Sequence, residues 1–262
     1  MEQWGFYFDQ SRCLGCKACM LACKNWNELR RGDKDTNRLN IENYTVAEGA
    51  NENAAAYIDP ATGTNNYAEF RKFYMKENWR RVSTHDRGGV VLGTGNTFKT
   101  TFDRRYLSVS CNHCSEPACR DACPVGAIFK EETIGAVIVN SSMCISCGKC
   151  REACPWNAPQ YYDDNFARYN PDDPARPRMT KCTLCFDRVR EGRKPTCVAA
   201  CWNRALDAGP LEELKTKYSG IAGGWQNPDE IEEFANSAVP ELGIPSTGPN
   251  IIFTRKGRWI RR

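Results

Sequence analysis

Sixteen cysteines fall into four groups of four, with none left over. Cys13, Cys16, Cys19 and Cys23 form C-x2-C-x2-C-x3-C. Cys111, Cys114, Cys119 and Cys123 form C-x2-C-x4-C-x3-C, followed by Pro124. Cys144, Cys147, Cys150 and Cys154 repeat the first spacing, followed by Pro155. Cys182, Cys185, Cys197 and Cys201 form C-x2-C-x11-C-x3-C. Thiolates at such spacings ligate iron. A cubane cluster needs one thiolate on each of four irons, and C-x2-C-x2-C wraps a tight loop round three corners with its N–H groups toward the sulfides. The fourth cysteine is carried away by the start of a helix. In bacterial two-cluster ferredoxins it ligates the neighbouring cluster, which locks two motifs together. Pro124 and Pro155 end the local turn after it. Zinc is the rival ligand. Paired C-x2-C motifs commonly build zinc ribbons, and the fourth group taken alone reads that way.

The elements that position these cysteines repeat as well. "FYFDQSRCLGCKACMLAC" aligns with "VIVNSSMCISCGKCREAC" at an offset of 131 residues. Each begins as a β-rich run, turns through polar residues and enters its motif. "RYLSVSC" has the same strand-then-cysteine pattern, and "AIFKEETIGAVIV" reads as two short strands about a polar turn. Residues after the third cysteine of groups one and three, such as Met20 to Arg30, are expected to be helical. The unit is strand, cysteine loop, helix, strand. Elsewhere Phe70, Phe73 and Tyr74 predict a helix near 69–81, "RGGVVLGTGN" a hairpin loop, and "PLEELKTKY" and "DEIEEFANSA" two further helices. "YNPDDPARPR" is a Pro-rich connector. The tail "VPELGIPSTGPNIIF" is expected to be extended and ends in the basic "TRKGRWIRR".

Composition excludes several function classes. No run approaches the ~18 apolar residues of a membrane span. "MEQWGFYFDQSRC" shows no secretory signal, so sixteen thiols argue for metal rather than a disulfide scaffold. Export as the passenger of a signal-bearing partner remains compatible with this. The formal charge of +4 counts neither thiolates nor iron. Four clusters would bring it to about −4, so the basic balance gives no argument for nucleic acid. Two histidines, His85 and His113, make no constellation for hydrolytic or nucleophilic catalysis. His113 either donates to a cluster sulfur or, more ordinarily for a polar loop residue, faces solvent. Trp156 and Trp202, after the fourth cysteines of groups three and four, either shield clusters from water or pack in the core. The basic C-terminus is read as a docking segment for a partner or an anionic surface, or as a frayed tail.

"CNHCSEPACRDACPVGAI" and "CISCGKCREACPWNAPQYYDD", with the order and spacing of all four groups, resemble a known family. It is that of the four-cluster iron–sulfur subunits of the dimethyl sulfoxide reductase family, whose catalytic subunits carry a molybdenum or tungsten bis-pterin. The likeness covers about 1–30 and 104–210. It implies four [4Fe–4S] clusters in an α+β fold of two pseudo-symmetric ferredoxin-like lobes. Lobe one would comprise 1–30 plus 175–210 and lobe two 104–174, with a polar insert at 31–103 and C-terminal helices and an extended basic tail at 211–262. Carried over by position, cluster one takes Cys13, Cys16, Cys19 and Cys201. Cluster two takes Cys23, Cys182, Cys185 and Cys197. Cluster three takes Cys111, Cys114, Cys119 and Cys154, and cluster four Cys123, Cys144, Cys147 and Cys150.

The implied role is electron transfer without substrate chemistry or a small-molecule substrate on this chain. The cluster of Cys13 would lie nearest the pterin-bearing partner and that of Cys144 nearest a quinol-reactive membrane anchor. The chain would be a peripheral subunit without a membrane helix of its own. Related nitrate reductase subunits have Trp where this chain has Cys147, so a fourth four-iron cluster is expected here. Family members often carry Cys-Pro at the last cysteine, whereas Trp202 follows Cys201, which on this reading changes the turn. A formate dehydrogenase or hydrogenase complex is the alternative assembly, and a zinc-stabilised structural or nucleic-acid-binding module the alternative class.

Overall fold

In the computed structural model the described residues are 2–27, 78–87, 89–92, 97–100, 103–161, 178–221 and 247–254. Strand β1 (Trp4–Asp9) lies in the middle of a three-stranded sheet. It pairs antiparallel with one neighbour (Leu206–Pro210) and parallel with the other (Ile251–Thr254), which are β10 and β11 in chain order. "FYF" is apolar throughout because both faces of this strand are covered, whereas a half-exposed strand would alternate. Phe6 and Phe8, with Leu206, Ala208, Ile251 and Phe253, enter the main core. Each such fully buried aromatic contributes ~1.5–3 kcal/mol. Tyr7, one residue out of phase, points the other way with Ile252 onto Leu214.

Leu214 belongs to a helix over Leu211–Tyr218, opened by Pro210 as the sequence predicts. Asp207 pins that helix to the sheet. It accepts from Lys217 at 2.6 Å, Tyr218 at 2.8 Å and Lys194 at 3.1 Å. Burial alone would raise its pKa, but these donors outweigh it and hold the carboxyl at about 2. The Tyr7 and Tyr218 rings stack 3.5 Å apart beside it.

The loops of the first three cysteine groups follow short strands, as expected, and the fourth does so too. Strand β5 (Asp103–Val109) precedes group two and pairs with β2 (Arg81–Arg87). β6 (Ile128–Lys130) and β7 (Val137–Val139) form the hairpin before group three. β8 (Gln160–Tyr161) and β9 (Met179–Thr180) pair just before group four. Five helices carry or flank cysteines: α1 (Ala18–Trp26), α2 (Ala118–Asp121), α3 (Lys149–Glu152), α4 (Phe186–Arg190) and α5 (Thr196–Ala199). Helix α1 packs on α5, and α2 on α3. The main core runs continuously through Phe6, Val82, Leu107, Trp156 and Leu184. A second, smaller one gathers Ile128, Val137, Tyr161 and Met179.

Several expectations need correction. Trp79 and Arg80 form a bend and Arg81 begins β2, so the helix expected to reach residue 81 does not; residues 69–77 lie outside the described residues. Within "RGGVVLGTGN", Val90–Leu92 is a strand, β3, paired with β4 (Phe98–Thr100) rather than loop. Helices α1 and α3 begin one residue before their third cysteines rather than after, because Lys17 and Gly148 take left-handed conformations that start them early. The C-terminal segment is extended as expected over Ile251–Thr254, which pairs with β1. Ile251–Thr254 is buried along its whole length in the central sheet. The segments "DEIEEFANSA" and "RKGRWIRR" lie outside the described residues, as does all but Arg178 of the Pro-rich connector.

Candidate iron–sulfur sites

All four cysteine groups open with the same backbone device. The residue before the second cysteine is left-handed in each: Gly15 (φ 68°), His113 (46°), Ser146 (61°) and Leu184 (60°). That twist turns its N–H back onto the first cysteine. His113, Ser146 and Leu184 donate to the sulfurs of Cys111, Cys144 and Cys182 at 3.5, 3.4 and 3.4 Å. Gly15 donates likewise to Cys13. Such donors favour sulfur carrying negative charge. A left-handed Leu or His costs ~1–2 kcal/mol, so the strain is spent where charge must be held. At Gly15 only glycine fits, since a Cβ there would stand 2.3 Å from the Tyr106 ring.

The third and fourth cysteines of every group are four residues apart, so a single helical turn carries the pair and advances ~6 Å between them. Four turns do this: Cys19 and Cys23 on α1, Cys119 and Cys123 at α2, Cys150 and Cys154 at α3, Cys197 and Cys201 at α5. After the fourth cysteine the backbone makes one turn three times over. Gly126, Asn157 and Arg204 donate to the carbonyls of Cys123, Cys154 and Cys201, each from a left-handed conformation. Trp202 therefore leaves the turn unchanged, contrary to expectation. A left-handed residue two positions later sets the geometry, and the proline only favours it.

The sulfurs gather in quartets. One cavity is lined by Cys13, Cys16, Cys19 and Cys201. A second is lined by Cys111, Cys114, Cys119 and Cys154, and a third by Cys123, Cys144, Cys147 and Cys150. The remaining four, Cys23, Cys182, Cys185 and Cys197, are electrostatic neighbours of one another. Cys111 of the second cavity raises Cys182, which joins the interior quartets. Cys19 neighbours Cys197, Cys182 neighbours Cys111, and Cys119 shares a core cluster with Cys144 and Cys150; in that order the quartets form a row, here called sites one (Cys13), two (Cys182), three (Cys111) and four (Cys144).

Burial, with neighbouring thiols, raises these groups: Cys13, Cys150 and Cys182 to about 11, and Cys114 and Cys185 to about 12. As bare thiols they hold their protons at neutral pH, and metal must displace them. Four sulfurs per site, N–H groups aimed at them and apolar walls form a donor set suited to an iron–sulfur cluster.

Other side chains complete the sites, and sequence reading found none of these four. Arg80 is buried between sites one and two, and Lys181 between two and three. The Thr247 hydroxyl lies 3.3 Å from Cys114 Sγ and accepts from Trp156 Nε1 at 2.9 Å. The Tyr161 hydroxyl lies 3.2 Å from Cys150 Sγ. Burial, and the thiols of Cys150 and Cys144, push its pKa well up, so it stays protonated.

His113 does not face solvent. It is 0% exposed, and its Nδ1 accepts from Val137 N at 3.0 Å. Burial, with Lys181 and Arg80 nearby, drives its pKa far down. Its ring is neutral and its Nε2 has no hydrogen-bond partner. The two tryptophans diverge. Trp156 is buried against site three, whereas Trp202 lies at site one and is 67% exposed.

Comparison with known proteins agrees with this chemistry. A family described as "4Fe-4S dicluster domain" matches residues 102–211, and one described as "4Fe-4S binding domain" matches 4–25. The sequence is similar to the B subunit of the anaerobic dimethyl sulfoxide reductase of Haemophilus influenzae, 39% identical over 218 residues, 83% of this protein and 79% of the relative. The corresponding subunit from Escherichia coli is 36% identical over 220 residues, 84% of this protein and 80% of that one. "Formate dehydrogenase-O iron-sulfur subunit" of Escherichia coli is 31% identical over 218 residues, covering 83% of this protein and 57% of that one.

Proposed function

Because this chain is a member of the family of iron–sulfur electron-transfer subunits of molybdopterin oxidoreductases, with multiple [4Fe–4S] clusters and no catalytic role of its own, we propose that its sixteen cysteines hold four clusters as one linear relay. Site one uses Cys13, Cys16, Cys19 and Cys201; site two Cys23, Cys182, Cys185 and Cys197. Site three uses Cys111, Cys114, Cys119 and Cys154; site four Cys123, Cys144, Cys147 and Cys150. Each cluster, when bound, takes up and gives back one electron. The protein supplies ligation, spacing and charge control. The observation that carries the reading is the sorting of the sulfurs into four quartets in a row.

The ends of the row differ from its middle. Cys16 of site one and Cys147 of site four are exposed, while all eight cysteines of sites two and three are buried. Electrons would enter and leave at the ends and cross the interior between them. In this reading site one faces a pterin-bearing catalytic subunit, and site four faces a membrane anchor. The protein is peripheral to the membrane, consistent with the observation that no helix among the described residues is long and apolar enough to cross one. On this reading each of two ferredoxin-like lobes would be built on one helix pair, α1 with α5 or α2 with α3, which pack on each other.

Iron and acid-labile sulfide analysis tests the reading. Roughly 16 of each per protein molecule are expected, and well under ~12 irons rules four clusters out. A colourless protein with stoichiometric zinc would favour a structural module instead. The 39% identity to the dimethyl sulfoxide reductase relative, against 31% to the formate dehydrogenase one, favours the first kind of complex. The large subunit that co-purifies decides between them.

A further inference from the structure

Two buried cations stand in the row and serve as ligands to nothing. Lys181, immediately before Cys182, is 1% exposed. Its Nζ lies 3.5 Å from Cys111 Sγ and donates to Cys182 O at 3.2 Å and to Val137 O. Those three acceptors use its three protons, and none is a carboxylate. Arg80 is also 1% exposed. It donates to Ser110 Oγ at 2.8 Å and to Ser108 Oγ at 3.2 Å, and the Ser108 hydroxyl lies 3.5 Å from Cys19 Sγ. Its guanidinium sits 4.5 Å above the Phe6 ring, and among the described residues no carboxylate partners it.

A charge sealed in the interior without a counter-charge is strongly disfavoured. Among the described residues, the groups facing Lys181 that can carry negative charge are sulfurs, Cys111 and Cys119 of site three and Cys182 of site two. Those facing Arg80 are Cys197, Cys182 and Cys23 of site two and Cys19 of site one. One cation thus occupies each of the junctions that flank site two. A positive charge beside a cluster favours the state with one more electron.

We propose that Lys181 and Arg80 are positioning residues of the relay, fixed counter-cations that raise the reduction potentials of the clusters they separate. Lys181 acts on sites two and three, and Arg80 on sites one and two. The step they favour moves one electron. No bond forms or breaks, and the ammonium and guanidinium keep their protons throughout.

This inference rests on the four-cluster reading, so iron and sulfide are measured first on the wild-type full-length protein. A wild type without clusters removes that reading. A loaded wild type whose potentials ignore the cations removes only this one. Redox titration followed by electron paramagnetic resonance then compares Lys181→Met and Lys181→Arg. In Lys181→Met, sites two and three should become at least tenfold harder to reduce, about 59 mV for one electron, with site four unmoved. Lys181→Arg should restore the wild-type values. Unchanged potentials in a loaded Lys181→Met protein, or an equal shift in Lys181→Arg, overturn the proposal for Lys181. Arg80→Met carries the same expectation, and the same refutation, at sites one and two. Should the Met variants fail to load, wild-type protein grown on 15N-lysine and, separately, on 15N-arginine is reduced and examined by hyperfine spectroscopy. Coupling of each side-chain nitrogen to a cluster spin is expected, and its absence overturns the role of that residue.

Discussion

Sites one and four draw three of their four proposed ligands from the compact spacing C-x2-C-x2-C, and each leaves one cysteine at the surface. Sites two and three draw theirs from the stretched spacings, with four and eleven residues before the third cysteine, and none of their cysteines is exposed. The extra residues are the cover. In group two, Ser115 and Glu116 donate to the carbonyls of Gly248 and Thr247, which clamps the C-terminal segment over the site. In group four, the eleven residues include α4, whose Val189 joins the main core. A compact loop wraps a cluster and leaves it near the surface, where electrons can enter. A stretched one brings in enough residues to bury it. Burial then requires interior charge compensation, and the buried Lys181 and Arg80 border the interior sites.

Ligand removal should break this symmetry most strongly. Cys182→Ser disturbs an interior sulfur beside both Lys181 and Arg80 and leaves buried cations uncompensated, a loss of ~3–5 kcal/mol. Iron should fall at sites two and three together, with a large drop in thermal stability. Cys16→Ser, at the exposed corner of site one, should leave the other three sites loaded. If the two variants lose the same iron, the distinction between interior and surface sites is wrong. Cys23→Ser sharpens the test, since Cys23 sits one turn after Cys19 on the same helix. Site two should be damaged first and site one kept; loss of site one alone would refute the crossed ligation.

The next effect concerns how an outer site is backed. Gly15→Ala forces a Cβ against Tyr106 from a left-handed backbone (φ 68°), and should cost about 2–4 kcal/mol. Gly126, by site four, is also left-handed (φ 61°) but has open space where its Cβ would go. Gly126→Ala should cost only about 1 kcal/mol. Chemical or thermal unfolding of the loaded proteins measures both. Tyr106→Ala in the Gly15→Ala background should recover the steric part of the loss and leave the backbone part.

The sequence was most informative where chemistry and local geometry coincide. Cysteine spacing depends on a few adjacent residues, so the groups, the strands before groups one to three and the β6–β7 hairpin were legible. Pairings over long separations were not. β11 reads as a tail because nothing near Ile251 announces that β1 will accept it in parallel. Arg80 reads only as part of the expected helix near 69–81, since the thiols that justify its burial lie elsewhere in the sequence. His113 failed for a related reason. A polar residue in a loop is ordinarily exposed, but this loop passes through the interior and Val137 N–H satisfies one of its nitrogens. The Trp202 turn misled because proline was taken as the cause. The cause is the left-handed residue at Arg204, a conformation that composition does not reveal.

The smallest effects should come from the two hydroxyls at cysteine sulfurs, one interior and one outer. Thr247→Val removes the group beside Cys114 and also strips the buried Trp156 Nε1–H of its acceptor. An orphaned buried donor costs about 1–3 kcal/mol. Tyr161→Phe removes the group beside Cys150 and keeps the ring that fills the second core, for about 0.5–1.5 kcal/mol. In both, a sulfur loses a donor that stabilises negative charge, so the potential of the adjacent cluster should fall. The two readouts separate the two jobs. Thr247→Val should cost more stability because its hydroxyl serves two partners, whereas the potential shifts should be alike because each sulfur loses one hydrogen bond. A stability loss with no shift in potential would make either hydroxyl a packing group. A much larger shift at the Cys114 cluster would mean that burial amplifies each hydrogen bond there, as a lower local dielectric requires.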